Sequence, residues 1–328
     1  MWCLVDFNSY ARIDASPHKN TKGVATDTRV PKDVYYYYQA NLLKTPVVKI
    51  GSRNWTLRGG IANANGGCPQ NLEVYSNLPE ISLWLNGKLL ATQPVKDKVA
   101  AFMVPFKNGL NQLKAVGVKD DISYEDFTTI DFRLQPAILK DTVLPFKELN
   151  VSLGDTRTYT DEKLQQVWLP EKPYSPGSWG YVGGHAFSMK GGNLQRFGTN
   201  KNILGTDYDP IYATQRVGLD HFKLDVPDGK YQVTLLFAEL LSDKEREQSV
   251  FNLNAGTEKE QGANRSFDVL INGQKVADGL GDNNYLQPER AFSIRYTIDV
   301  TEGKGIDVSF KALKGESILN GIQVKKVF

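Results

Sequence analysis

The chain has 328 residues, is 41% hydrophobic, and carries 39 basic against 37 acidic residues for a formal net charge of +2. Such a length fits about two domains, and the hydrophobic share excludes a disordered chain. The near-balanced charge removes the electrostatic reason to expect nucleic acid or an anionic membrane as a partner, and no run approaches the ~20 apolar residues of a membrane span.

Taken in chain order, Trp2 to Phe7 reads as one apolar strand interrupted by Asp6. A polar loop runs from Asn8 to Lys22, then Gly23-Val24-Ala25-Thr26, then a Tyr-rich helix near Asp33–Leu43 introduced by Pro31. Strand, long loop and helix make half of a βα unit, and one such unit cannot bury a parallel strand on both faces. From residue 46 the pattern becomes strands. Ile81, Leu83 and Leu85 alternate with polar or aromatic neighbours up to Asn86-Gly87, and Lys88-Leu89-Leu90 follows. Asn-Gly suits a type I′ hairpin because both turn positions need positive φ. A boundary falls near 135–150, where Gln135-Pro136 closes the strand Thr129–Leu134 and a new strand starts near Asn150. Beyond it, Phe222 to Val226, Tyr231 to Phe237, Phe267 to Ile271, Tyr296 to Val300 and Ile306 to Phe310 keep a period of two, with turns at Pro227-Asp228-Gly229, Asn272-Gly273 and Thr301 to Gly305. Short, closely spaced strands predict a mainly β chain of two consecutive β-sandwiches.

The residues also exclude several chemistries. Cys3 and Cys68 form neither a disulfide framework nor a zinc spacing, and His18, His185 and His221 are scattered, so no metal site is expected. Gly183-Gly184 and Gly191-Gly192 lack the Gly-Lys-Ser/Thr of a phosphate loop, no Gly-x-Ser-x-Gly elbow is present, and no cofactor is expected. Residues 1–30 lack a signal-peptide pattern, and compartment stays open.

Three stretches carry resemblances. Met1 to Phe7, Asn20-Thr21-Lys22-Gly23-Val24 and Asp27 to Asp33 resemble the last βα unit of the catalytic (β/α)8 barrel of glycoside hydrolase family 2, the family of β-galactosidases and β-glucuronidases. Asn71 to Asn77, Glu80–Leu90 and Gly109 to Ala115 are similar to the immunoglobulin-like domain that follows such barrels. Pro173 to Tyr181, Asp209 to Arg216, Phe237-Ala238-Glu239, Phe267–Gly273 and Leu319 to Ile322 resemble a malectin-like domain of jelly-roll type, also classed as carbohydrate-binding module family 57. The resemblance implies a remnant βα unit of a TIM barrel over 1–45, an immunoglobulin-like sandwich over 46–135, a linker over 136–149 and a malectin-like sandwich over 150–328. It implies a non-catalytic C-terminal region of a retaining exo-β-glycosidase, a galactosidase ahead of a glucuronidase, in a periplasmic or secreted bacterial setting. The barrel would be the chain's partner, with carbohydrate as ligand and a homo-oligomer open.

Retaining hydrolysis needs two carboxyl groups ~5–5.5 Å apart. In the family they stand on barrel strands four and seven, which the resemblance places outside this sequence, so no catalytic residue is assigned. Glu239 reads as loop support, and Glu245 and Glu247 as a solvated loop. Trp2 would line the sugar pocket of the parent barrel. Asn20 and Lys22 match an Asn-x-Lys element that contacts the sugar carboxylate in glucuronidases; the other reading is a loop-closing pair. In the malectin-like part the candidates are Trp179, Tyr181, Tyr208, Tyr212 and Phe222, whose aromatic faces suit sugar C–H surfaces, with Asp207 and Asp209 as acceptors. The alternatives are core roles for Phe222 and Tyr212, a plain turn at Asp207 to Pro210, and sandwiches that only dock or pack.

Overall fold

In the computed structural model residues 3–8, 19–188, 198–199, 202–240, 265–282 and 285–327 are described. The chain forms two compact units, one ending at Gln135 and the other running from Pro136.

The first unit opens with β1 (Cys3–Val5), β2 (Phe7–Asn8), β3 (Lys19–Asn20), β4 (Gly23–Ala25) and α1 (Asp33–Leu42). Strand β1 pairs in parallel with β4, and β2 pairs antiparallel with β3. The expected single strand is therefore two pieces, and Asp6 divides them. Its buried carboxylate accepts the Gly23 N–H at 2.9 Å and Lys32 Nζ at 2.6 Å. Gly23 is required by close approach, since a Cβ there would lie 2.3 Å from the Val5 carbonyl carbon. Trp2 lies outside the described residues. Helix α1 sets Ala40 against Val47 and Tyr75, with Tyr36 alongside. The Asp33 carboxylate accepts the Ser52 N–H at 2.7 Å, fixing the helix start to the following strands. Its opposite stripe, Val34, Tyr38 and Leu42, is exposed, as is Leu4 on β1.

Eight strands complete this unit: β5 (Val48–Ile50), β6 (Leu57–Ile61), β7 (Cys68–Ser76), β8 (Glu80–Leu85), β9 (Lys88–Pro94), β10 (Val99–Phe106), β11 (Gly109–Lys119) and β12 (Ile122–Gln135). They form sheets of order β10-β7-β5 and β6-β12-β11-β8-β9. Alternation decides which side chains enter the core. Ile81 and Leu83 on β8, Leu113 and Ala115 on β11, and Ile130 and Phe132 on β12 are buried. Phe106 of one sheet stacks on Phe132 of the other at 5.2 Å. The β8–β9 turn has Asn86 at φ 52° and Gly87 at φ 78°, the type I′ signature.

The second unit contains β13 (Glu148–Ser152), β14 (Tyr159–Asp161), β15 (Gln166–Pro170), β16 (Trp179–Ala186), α2 (Asp209–Tyr212), β17 (Arg216–Leu224), β18 (Gly229–Phe237), β19 (Ser266–Ile271), β20 (Gln274–Leu280), β21 (Phe292–Val300), β22 (Ile306–Lys314), β23 (Ile318–Leu319) and β24 (Gly321–Val327). One sheet has the order β14-β15-β13-β24-β18-β21; the other runs β16-β17-β22-β19-β20, with β23 on β17. Phe237 and Phe267 meet between them at 6.2 Å. The stretch 136–149 is not a free connector: Leu139 and Phe146 are buried, and the Phe146 ring lies 6.0 Å from Tyr231. The architecture is the mainly β, two-sandwich arrangement that the alternation predicts.

Candidate functional site

The residues singled out in the second unit divide into three groups. Trp179 and Phe222 are fully buried and stacked at 6.2 Å, with Lys172 Nζ 4.7 Å from the Trp179 ring centre. Strand alternation points both rings into the core, so Trp179 has no face to offer a ligand. This corrects its candidacy. Tyr212 is likewise 6% exposed and packs with Trp168, Ile211 and Leu236. Burial lifts its phenol to about 12. It too is a core residue.

Tyr181 is half-buried on β16 beneath the Arg216 guanidinium, 3.2 Å from the ring centre. Arg216 pairs with Glu171 at 2.6 Å and donates to the carbonyls of Gly183 and Gly184. One face of Tyr181 is thus covered by a fixed cation.

The third group is half-buried and polar. The Tyr208 ring meets Trp168 edge-on at 6.2 Å, and its hydroxyl donates to Gln166 Oε1 at 3.3 Å. Burial raises the Tyr208 phenol, and the Asp161 charge and Tyr159 add to the rise. Burial also raises Tyr159, helped by Asp161 and Asp209. Both phenols therefore stay neutral donors beside carboxylate acceptors through ordinary pH. Asp209 accepts the Ile203 N–H at 2.7 Å, so it holds its loop, and Asp207 is exposed beside it.

Local sequence explains how α2 presents Tyr208. Tyr208 precedes a helix that begins Asp209-Pro210, and Pro is tolerated in a first turn. Buried Asn320 then fixes the helix end: its Nδ2 donates to the carbonyls of Tyr212 and Thr214, and its Oδ1 accepts the Ala238 N–H, all at 2.8 Å. Tyr159, Asp161 and Gln166 reach Tyr208 from β14 and β15. No sequence signal marked them, because their placement depends on sheet order.

The other assigned residues form no part of this corner. Glu239 is buried and pairs with Arg265 at 2.6 Å, consistent with loop support. Glu245 and Glu247 lie outside the described residues. Asn20 is buried, and its Oδ1 accepts the Lys22 N–H at 3.1 Å; the Lys22 side chain is exposed. That bond ties Asn20 to the backbone two residues on, and the Lys22 ammonium stays outward.

Comparison with known proteins adds a second line. A family model described as "Malectin domain" matches residues 155–320, and one described as "Domain of unknown function (DUF4982)" matches residues 67–123. A Formosa agariphila protein whose name assigns it, provisionally, as a beta-glucuronidase is 35% identical over 139 residues, 40% of this chain and 16% of that protein. Bacteroides uniformis beta-glucuronidase is similar over 100% of this chain and 35% of its own, at 31% identity and a TM-score of 0.83. Bacteroides uniformis beta-glucuronidase 2, covalently bound to cyclophellitol-6-carboxylate aziridine, matches with the same coverage and identity at a TM-score of 0.82. The chain spans about a third of the length of these solved relatives.

Proposed function

The chain belongs to the malectin domain family through residues 155–320, and from that membership we propose that it is the non-catalytic C-terminal region of a family 2 exo-β-glycosidase, with a malectin domain that holds glycan. Its homologues are β-glucuronidases of the family 2 type, and it matches their C-terminal part. The observation that carries the proposal is likeness to a β-glucuronidase along the whole chain, at 31% identity and a TM-score of 0.83. In this reading residues 1–45 are the last βα unit of a barrel, 46–135 an immunoglobulin-like sandwich, 136–149 a packed connector and 150–328 the malectin domain. The exposed stripe of Val34, Tyr38 and Leu42 and the exposed Leu4 suit contact with the rest of such a barrel.

Glycoside hydrolysis is the coarser assignment, and β-glucuronides are the substrates we favour over β-galactosides. The relatives above are β-glucuronidases, one of them bound to a carboxylate-bearing reagent. Lys22 supports the same choice: an outward ammonium on a loop closed by Asn20 is a point charge suited to a sugar carboxylate.

Within the malectin domain we place glycan at the corner of Tyr208, Tyr159, Asp161 and Gln166, where neutral hydroxyl donors stand beside a carboxylate and an amide. Binding alone would be weak, and linkage to a catalytic barrel would raise it through effective concentration. Two measurements test the reading. The chain by itself should not turn over aryl β-glucuronides or β-galactosides; turnover abolished by substituting one of its own residues would refute a non-catalytic region. Calorimetric titration with gluco- and galacto-oligosaccharides should show binding lost in Tyr208→Ala and retained in Tyr181→Ala. The opposite pattern would move the site to β16, and no binding at all would leave a docking module.

A further inference from the structure

Strand β21 ends its sheet. It pairs with β18 through nine consecutive residues, Phe292↔Phe237 to Val300↔Gly229, with no break in register. It contains no proline, and its outer edge has no partner strand among the described residues. Long regular edges attract further strands, and proteins usually blunt them with prolines, bulges or short length. Neither proline, bulge nor short length interrupts β21; the remaining device, charged side chains, is present as Arg295 and Asp299, one of each sign.

The residues along this edge have a specific symmetry. Ser293, Arg295, Thr297 and Asp299 alternate on the exposed face, and Ile294, Tyr296 and Ile298 are half-buried on the other. Arg295 has no ion-pair partner among the described residues, and Asp299 has only a loose, exposed contact with Lys230 at 3.8 Å. A second β21 laid antiparallel about a two-fold axis at Thr297 brings Thr297 against Thr297. The same axis sets Arg295 against Asp299 twice, once on each side. On the opposite face Tyr296 meets Ile298 and Ile294 meets Val300. Opposite charges, Thr–Thr pairs and aromatic–β-branched pairs are the combinations that favour cross-strand pairing. A two-fold contact must be complementary to itself, and the seven residues from Ile294 to Val300 are.

We infer that the β21 edge is an interface for a second copy of this chain, which joins the two six-stranded sheets edge to edge through Thr297. The inference does not depend on the glycan reading, because it uses none of that site's residues.

Sedimentation of the full chain over a range of concentrations tests it. A monomer–dimer equilibrium is expected. Arg295→Asp or Asp299→Arg alone should raise the dimer dissociation constant roughly tenfold, since each turns two attractive pairs into two repulsive ones. The double substitution should restore the original value, because the axis again sets opposite charges together. Arg295 and Asp299 are surface residues, so folding should be intact by circular dichroism. On a Cys3→Ser, Cys68→Ser background, Thr297→Cys should cross-link into a dimer on oxidation and Arg295→Cys should not. A monomer at every concentration overturns the inference. So does a dimer that ignores both charge reversals, or one that cross-links equally well from positions 295 and 297.

Discussion

Tyr212 and Tyr231 show how a single buried hydroxyl shapes stability. Burial lifts both phenols to about 12, while an exposed tyrosine loses its proton near 10. Below about pH 10 both the folded and unfolded chains keep these protons, and the stability contribution is constant. Above it the unfolded chain ionises first and the folded chain binds more protons. Stability must therefore fall as pH rises from about 10 towards 12. Chemical denaturation at a series of alkaline pH values should show this slope for the second unit, and Tyr212→Phe should make it shallower. An unchanged slope would mean that the Tyr212 hydroxyl already reaches water. Tyr208 illustrates what residue identity alone conveys. Its place before Asp209-Pro210 could be read as the edge of a turn, but its bond to Gln166 could not, since 42 residues separate them.

Among the elements, the hairpins were the most legible. Asn86-Gly87 and Asn272-Gly273 both take positive φ at both positions, as the dipeptide demands. Gly87→Ala should destabilise the first unit by about 1 kcal/mol, because an L-residue resists the left-handed region. A Cβ at Gly87 would meet nothing within 4 Å, so the cost would be conformational alone and Gly87→Asn should recover part of it. Urea midpoints for the two variants distinguish this from a packing effect. The leading strand was less legible. An apolar run suggested one strand from Trp2 to Phe7, and the Asp6 carboxylate, bonded to Gly23 and Lys32, split it. Only residues 17 and 26 positions away account for that break. Alternation likewise marked the end of β17 from Phe222 on, without saying that the Phe222 ring would stack on Trp179 in the core.

For the whole molecule, the βα segment does more than trail the first sandwich. Helix α1 covers Tyr75 and Val47 with Ala40 and Tyr36, and Asp33 holds Ser52. Deleting residues 1–44 should cost the first unit about 3 kcal/mol, on the usual scale for uncovering one or two large apolar side chains. Two-transition thermal unfolding would report it as a lower first-unit midpoint with the second unit unmoved. A first-unit midpoint equal to that of the intact chain would show that α1 adds no stability there. The two units divide at Gln135, where the sequence changes from a long strand to Pro136.

Local physics explains which features the sequence determined by itself. A period of two, turn dipeptides and the scarcity of helical periodicity act over a few residues, and they set a mainly β chain and its hairpins. Which face of each strand is inside, and which distant side chains meet, depends on strand order and register, where one step moves every side chain to the other face. Tertiary structure alone therefore sent Trp179 and Tyr212 to the core, joined Tyr159, Asp161 and Gln166 to Tyr208, and left the outer edge of β21 without a partner strand among the described residues.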